Sequence, residues 1–425
     1  MKFRYLLPVW MMFSFLSETS HSGEYHYKDI LIGERASGLG GTFTAISDDP
    51  SGVYYNPAGL IYAFENYLSG SANTFVSTKS VSKDVLGGQP YTISSSGMSP
   101  TFFGFSQSLG KGKFGFAVIT PDSESINQDD RITGLSSGPD TPESFSRKYF
   151  RTDTTYLFGP AYALSVGQRT SLGISLLGFA RTDRAIDNQF VRYAPDATGK
   201  YLFQNVALDR EFYGMVPKIG IQHMWSDRLA LGATLSKRVL LSSSSVIRAT
   251  RTKTDPITGL PVADPGGAFS QEVEILEDKT QPTLQAPWVG TLGGTWFFDK
   301  TLLLSAEVNY HSADSNFRDY RLTPTLNWSV GSEWFLSEQF ALRLGVYTNH
   351  ANTPTIDSSS TNQPDHVDMT GGSIGLSFLK PGSSFTLGAS YASGTGKGQA
   401  IAGTTLSQEL TRTTLAISLS GSYQL

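Results

Sequence analysis

After residue 65 the chain repeats one unit: a strand, a turn of a few residues, a second strand, then a longer polar stretch. One example runs Phe158 to Val166, turns at Gly167-Gln168-Arg169, and continues Thr170 to Leu176. A second runs Val216 to Trp225, turns at Ser226-Asp227-Arg228, and continues Leu229 to Leu235. Similar turns fall near Gly110-Lys111-Gly112, Asp299-Lys300, Leu336-Ser337 and Lys380 to Ser383. Gly or Ser alternates with Leu, Ile or Ala along these strands, the period of a strand with two unlike faces. Polar stretches at 79–92, 121–149, 184–206, 244–282, 312–321, 350–366 and 395–409 separate the hairpins and are expected as loops. Short turns alternating with long connections is the asymmetry of a transmembrane barrel. One strand, six hairpins and a final strand make about fourteen antiparallel strands. That even number puts every short turn on the side where the chain begins and ends.

The last strand repeats the pattern, with Leu415, Ile417, Leu419, Tyr423 and Leu425 on one face and Thr414, Ser418, Ser420, Ser422 and Gln424 on the other. Prolines at 100, 160, 217, 287 and 324 each precede a short turn by several residues. Proline cannot donate to a ladder, so in a closed barrel these positions must be bulges or local breaks in pairing.

Composition narrows the class further. Charged residues are 16% of the chain, well below the ~25% usual for soluble domains. Glycine, at 43 residues, and aromatics, at 12%, suit a large β protein. With no cysteine there is no disulfide framework, thiol chemistry or cysteine metal site. A net charge of -4 gives no reason to expect nucleic acid.

Lys2 and Arg4 followed by the apolar run Leu6 to Leu16 and by Ser20-His21-Ser22 read as a secretory signal over residues 1–22. An apolar run of that length falls short of the ~20 residues that span a bilayer as a helix. Beyond it, Gly38, Gly40 and Gly41, then Asp48 and Asp49, then Asn56-Pro57-Ala58 stand in order. Asn56 reads as an N-cap with Pro57 as the first helical residue, and Asp49-Pro50 repeats the device.

Taken with the barrel pattern, these elements resemble the N-terminal hatch of the FadL/TodX family, outer-membrane barrels that pass hydrophobic molecules into Gram-negative-type cells. The resemblance implies residues 23–65 folded as a plug inside a barrel of residues 66–425. It implies capture of long-chain fatty acids or aromatic hydrocarbons at the outer loops. Sideways release would follow through a wall gap near Gly115, with the hatch as gate. The implied partners are the outer-membrane bilayer with its lipopolysaccharide, the hydrophobic ligand and the barrel-assembly machinery, for a monomeric, cofactor-free protein. A secretion or surface-assembly scaffold and a plugged general porin share the same pattern and stay open.

Chemistry-bearing candidates are few. Gly110, Gly112 and Gly115 match a dinucleotide fingerprint, but a strand follows where a helix is required. The six histidines show no ligand spacing, and no nucleophile elbow is present, so no catalytic or metal site is read. Phe114, Phe116, Leu177 and Phe179 lie in runs apolar on both faces, which suits either a greasy lumen or packing against the plug. Lys218, Arg238, Glu307 and Arg343 fall in lumen phase, where they could pair with plug carboxylates or with a ligand head group.

Overall fold

The computed structural model describes residues 26–86, 88–135, 142–193, 201–253, 272–278, 287–314, 322–360, 363–400 and 405–425. The signal reading over 1–22 lies outside the described residues. Sixteen strands follow one another: β1 Tyr67–Leu86, β2 Gln89–Leu109, β3 Gly112–Thr133, β4 Pro142–Ser165, β5 Thr170–Tyr193 and β6 Tyr201–Ser226. Next come β7 Leu229–Lys237, β8 Val239–Lys253, β9 Glu272–Asp278, β10 Trp288–Phe297 and β11 Leu302–His311. The last five are β12 Thr325–Phe335, β13 Phe340–Asn349, β14 His366–Lys380, β15 Ser383–Gly398 and β16 Gln408–Gln424.

All pairings are antiparallel, and β1 pairs with β16 while β5 pairs with β6, so the ring is closed. β7 and β8 share one place beside β6, interrupted at Arg238, and β9 pairs only with β8. The ring therefore has 14 strands, with β9 as an extra one outside it. No helix among the described residues is long and apolar enough to cross a membrane; the crossing is made by strands.

Alternation decides the two faces. Along β13 the exposed positions include Phe340, Leu344 and Val346, while Arg343 and Tyr347 are buried inside. Exposed Trp225, Trp296, Trp334, Phe340, Phe385 and Tyr423 cluster at the short-turn end of the strands. Exposed Tyr156, Tyr213, Trp288, Tyr310, Trp328 and Tyr391 mark the other rim. On β10 the two rims, Trp288 and Trp296, are about 26 Å apart along the strand at ~3.3 Å per residue, which the usual tilt of ~40° projects to about 20 Å of depth, the scale of the ~25 Å apolar band of outer-membrane barrels. The chain is a membrane-spanning barrel of the outer-membrane type.

Most polar stretches expected as loops are strand. β3 to β6 run 22, 24, 24 and 26 residues, against the ~9–11 a transmembrane strand needs. Residues 79–86, 121–133, 142–149, 184–193, 201–206 and 244–253 are thus ladder continuing above the membrane. The physical reason is solvent. Outside lipid the outward face needs no apolar side chains, so the alternation that reveals a strand disappears. On β5 the outward face passes from Leu172, Ile174 and Leu176 to Thr182 and Arg184, with no break in pairing to β6. Residues 350–360 and 363–365 are irregular, as expected of a connection.

Residues 26–66 fold inside the ring, against its inward face. Their helical pieces are short: α1 Glu34–Gly38 and 3-10 turns at Pro50–Val53 and Pro57–Tyr62. Asp49 caps the first 3-10 turn by accepting from the Ser51 N–H at 2.7 Å, and Asn56 caps the second by accepting from the Ala58 N–H at 3.1 Å. Six strands meet this segment with an inward glycine. A Cβ on Gly173, Gly220, Gly232, Gly331, Gly345 or Gly115 would lie 2.0–2.9 Å from an atom of the segment. At Gly345 the obstacle is the Gly40 backbone nitrogen at 2.2 Å, so no side chain can be accommodated by rotation.

Candidate functional site

The N-terminal segment is fixed to the wall by polar bonds as well as glycine contacts. Asn56, fully buried, donates through Nδ2 to the Thr44 and Ile221 carbonyls at 2.8 and 3.1 Å. Glu307 accepts from the Phe43 and Thr44 N–H groups at 3.1 and 2.9 Å. Gln222 donates to the Ala45 and Ile46 carbonyls, and Ser373 bridges the Gly40 N–H and the Gly38 carbonyl. Arg35 joins Asp48 to Glu333, which also takes Arg343 Nε at 2.7 Å. Asp49 sits buried beside Ser51; burial pushes its carboxyl up to about 6, against the pull of the Ser51 hydroxyl. Each residue of the Gly-rich patch, the double Asp and Asn-Pro-Ala is thus in this packed region, with Gly38 and Gly40 against β13 and β14 and Ala58 against Gly173.

Beside the segment is a cavity of about 240 Å³. One wall is apolar: Leu157 from β4, Leu177 and Phe179 from β5, Phe212 and Val216 from β6, and Leu240 from β8. Tyr27, Asp29 and Tyr54 of the N-terminal segment line it, together with His311 and Asn352. The Tyr27 ring stacks on His311 with centroids 3.6 Å apart. Three cations reach the space, and they are used differently. Arg181 is committed to Asp153, with contacts of 2.9 and 2.6 Å. Lys218 donates to the Tyr54 carbonyl. Arg238, at the break between β7 and β8, lies over the Phe179 ring at 4.2 Å and makes no ion pair among the described residues.

The sequence candidates divide accordingly. Leu177, Phe179, Lys218 and Arg238 all line this cavity. Arg343 is inside the barrel but belongs to the Glu333 and Ser377 cluster beneath the N-terminal segment. Phe114 and Phe116, expected as ligand contacts, point the other way: they share the outward face of β3 with exposed Val118 and pack on Phe105. Their neighbour Gly115 faces inward, against Val53 and Leu60. A run apolar on both faces does not reveal which phase points in, and here the inward phase of β3 is Gly115, Ala117 and Ile119.

The wall gap expected around Gly115 is displaced. Gly115 pairs on both sides, with Ser106 of β2 and Ala161 of β4. The β2–β3 ladder ends later, at Phe102↔Ile119, although both strands continue, β2 paired to β1 and β3 to β4. Extending the β2–β3 register past that point sets Pro100 opposite Pro121, two residues with no N–H to give. β2 carries a register shift against β1 beside Pro100, and β3 one against β4 between Ile119 and Asp122. The two strands therefore part at one level, and Pro121 and Asp122 there line the cavity. Pro100 was legible as a break in pairing; Pro121 was not singled out, because its significance depends on the register. Of the other prolines, Pro160 falls where the β4–β5 pairing lapses, and Pro287 and Pro324 precede their strands.

No group of three or more metal-ligating side chains occurs among the described residues. No protein-family model matches the sequence, and no curated protein does. Solved structures do. A Pseudomonas aeruginosa FadL homologue superposes with a TM-score of 0.66 at 14% identity, over 94% of this chain and 99% of that one. The Pseudomonas putida toluene transporter TodX gives 0.62 at 14% identity, and the Ralstonia pickettii toluene transporter TbuX 0.57 at 14%, each over 94% and 99% of the two chains. The fold of this chain, over nearly its whole length, is that of the FadL/TodX-type outer-membrane barrels.

Proposed function

We propose that the protein is a passive outer-membrane channel for hydrophobic compounds, and that its ligand rests in the lumenal cavity and leaves sideways where β2 and β3 part. The observation that carries this reading is the cavity itself: an apolar wall from β4, β5, β6 and β8, with Arg238 facing it and the strand parting at its edge. A water-filled pore would line its lumen with polar groups. Burial of an acyl or aromatic body supplies ~0.8 kcal/mol per CH₂ group. The Arg238 guanidinium, without an ion pair among the described residues, favours an amphiphile with an anionic head, such as a fatty acid, over a neutral hydrocarbon.

The N-terminal segment acts as the gate in this reading. Tyr54 lines the cavity and its carbonyl holds Lys218, so a shift of the segment changes the cavity floor. The segment also occupies the barrel cross-section, which sets the protein apart from an open porin.

Uptake of laurate and of toluene into cells carrying the protein tests the reading. Met98 and Ser123 face each other across the split if the ladder register is extended. In a Met98→Cys/Ser123→Cys double variant, a reducible thiol cross-linker should stop uptake, and reduction should restore it. Uptake indifferent to the cross-link would overturn the lateral route. Large ion conductance in planar bilayers, with no amphiphile bound by native mass spectrometry, would overturn the hydrophobic channel.

A further inference from the structure

Above the point where β2 and β3 separate, side chains reconnect them, and one of them bonds the backbone itself. Continued in register, the ladder would place Gln128 of β3 opposite Ile93 of β2, between Thr92 and Ser94. The Gln128 carboxamide reaches both neighbours: Oε1 accepts from the Ser94 N–H at 3.1 Å, and Nε2 donates to the Thr92 carbonyl at 2.6 Å. Its other amide hydrogen goes to Asp130, which also accepts from the Tyr91 hydroxyl of β2 at 3.1 Å. The orientation of the amide is determined, because only an oxygen can meet the Ser94 donor and only an NH₂ the Thr92 acceptor.

A side-chain amide is chemically a peptide group. Here it stands where the backbone of β3 would have stood, bonding the same N–H and C=O that a ladder neighbour would bond. The strands stay in register but are held apart by the length of a glutamine side chain. Behind them, Arg412 of β16 reaches past β1 and β2 to Glu124 of β3, with 3.9 Å between charged atoms.

We propose that Gln128 is a detachable rung that closes the upper end of the β2–β3 opening and so limits how far it can widen. The lower end is fixed by backbone pairing at Phe102↔Ile119 and does not move. The upper end is held by side chains alone, Gln128 on the β2 backbone and Asp130 on the Tyr91 hydroxyl, and these can swing away and leave the strands intact in their ladders with β1 and β4. The inference rests on the lateral route proposed above for its purpose, but the rung itself can be tested without any ligand.

The chain has no cysteine, so a single one reports cleanly. Ser99 is buried on β2 within the separated stretch, and Ser99→Cys places a thiol there. Labelling by a lipid-soluble pyrene maleimide, in protein shown folded by heat-modifiable migration, should be slow in this variant. Adding Gln128→Ala should raise the rate by about tenfold, the order expected for losing one to two hydrogen bonds. Gln128→Glu should also raise it, because a carboxylate cannot donate to the Thr92 carbonyl and faces Asp130. Labelling unchanged in both double variants overturns the rung. Faster labelling together with uptake that ignores the Met98–Ser123 cross-link would keep the rung and sink the route.

Discussion

On the β10–β13 side, strands of 10 or 11 residues cross the membrane and stop. On the β3–β6 side, strands of 22 to 26 residues cross it and carry on. The low wall presents lipid-facing Leu, Val and Trp outside and, inside, glycine and charge that grip the N-terminal segment. Gly331 and Gly345 abut Leu39 and Gly40, while Glu307, Glu333 and Arg343 hold Phe43, Thr44 and Arg35 directly or through one another. The tall wall supplies most of the apolar cavity lining and, above it, a buried layer of Arg151, Arg181 and Arg210 against Asp153 and Asp183. Both walls hold the segment, since Gly115, Gly173, Gly220 and Gln222 of the tall wall also meet it, but the tall wall adds most of the apolar lining and the charged layer above it. Length makes the difference: a strand that only spans lipid has no residues left over for a vestibule.

The comparison breaks most visibly at Gly345. Its Cβ would meet backbone atoms of the segment at 2.2–2.7 Å, so Gly345→Val should exceed the ~1–3 kcal/mol of ordinary overpacking and abolish the heat-modifiable folded band. Gly97→Ala on β2, with nothing within 4 Å, should migrate like the parent. A folded Gly345→Val barrel with the segment still docked would show that the low wall is not an anchor.

Arg151→Met comes next. It removes one of the two buried arginines that each of Asp153 and Asp183 meets, leaving Arg181 at Asp153 and Arg210 at Asp183, so the loss should stay below the ~3–5 kcal/mol of breaking an isolated buried pair. Denaturant titration in detergent should show the loss, concentrated above the membrane. Asn56→Ala removes a cap worth roughly 0.5–2 kcal/mol. It also removes two bonds, to Thr44 and Ile221. Membrane insertion should be normal, with altered leak or uptake; failed assembly would mean the segment templates the barrel instead of closing it. The smallest effect belongs to Arg184→Ala on the outside of the tall wall. Its partners Asp209 and Glu211 are exposed, and such pairs contribute ~0–1 kcal/mol. A large loss there would mean that this outer surface is covered by a partner.

Much of the low wall was legible, because lipid enforces alternation on every strand it touches. The short turns and the outward face of β16 follow from that rule, as does the strand number. Asn56 and Asp49 were legible as caps because capping is local chemistry. The tall wall's height was not, since Thr182, Arg184 and Asn188 carry no signature that separates strand from loop once water replaces lipid. Phe114 and Phe116 were misplaced because phase is set by pairing, and Gly115 alone did not declare which way it faced. The β2–β3 parting needed two distant prolines to be aligned. Pro100 and Pro121 become opposite one another only after the Phe102↔Ile119 register is known.

That pair of prolines also bears on how the protein lives among its neighbours. An interrupted ladder in a barrel wall is a strip of unsatisfied backbone facing lipid, and any strand from another chain could dock there and zip two barrels together. Pro100 and Pro121 withhold donors on both sides of the strip, and the adjacent register shifts at Thr101 and beyond Ile119 turn the edges out of line. At the start of the parting a foreign strand would find two missing donors and two register shifts instead of a regular edge. On the lateral route proposed above, the wall would admit a small greasy molecule without becoming adhesive to protein.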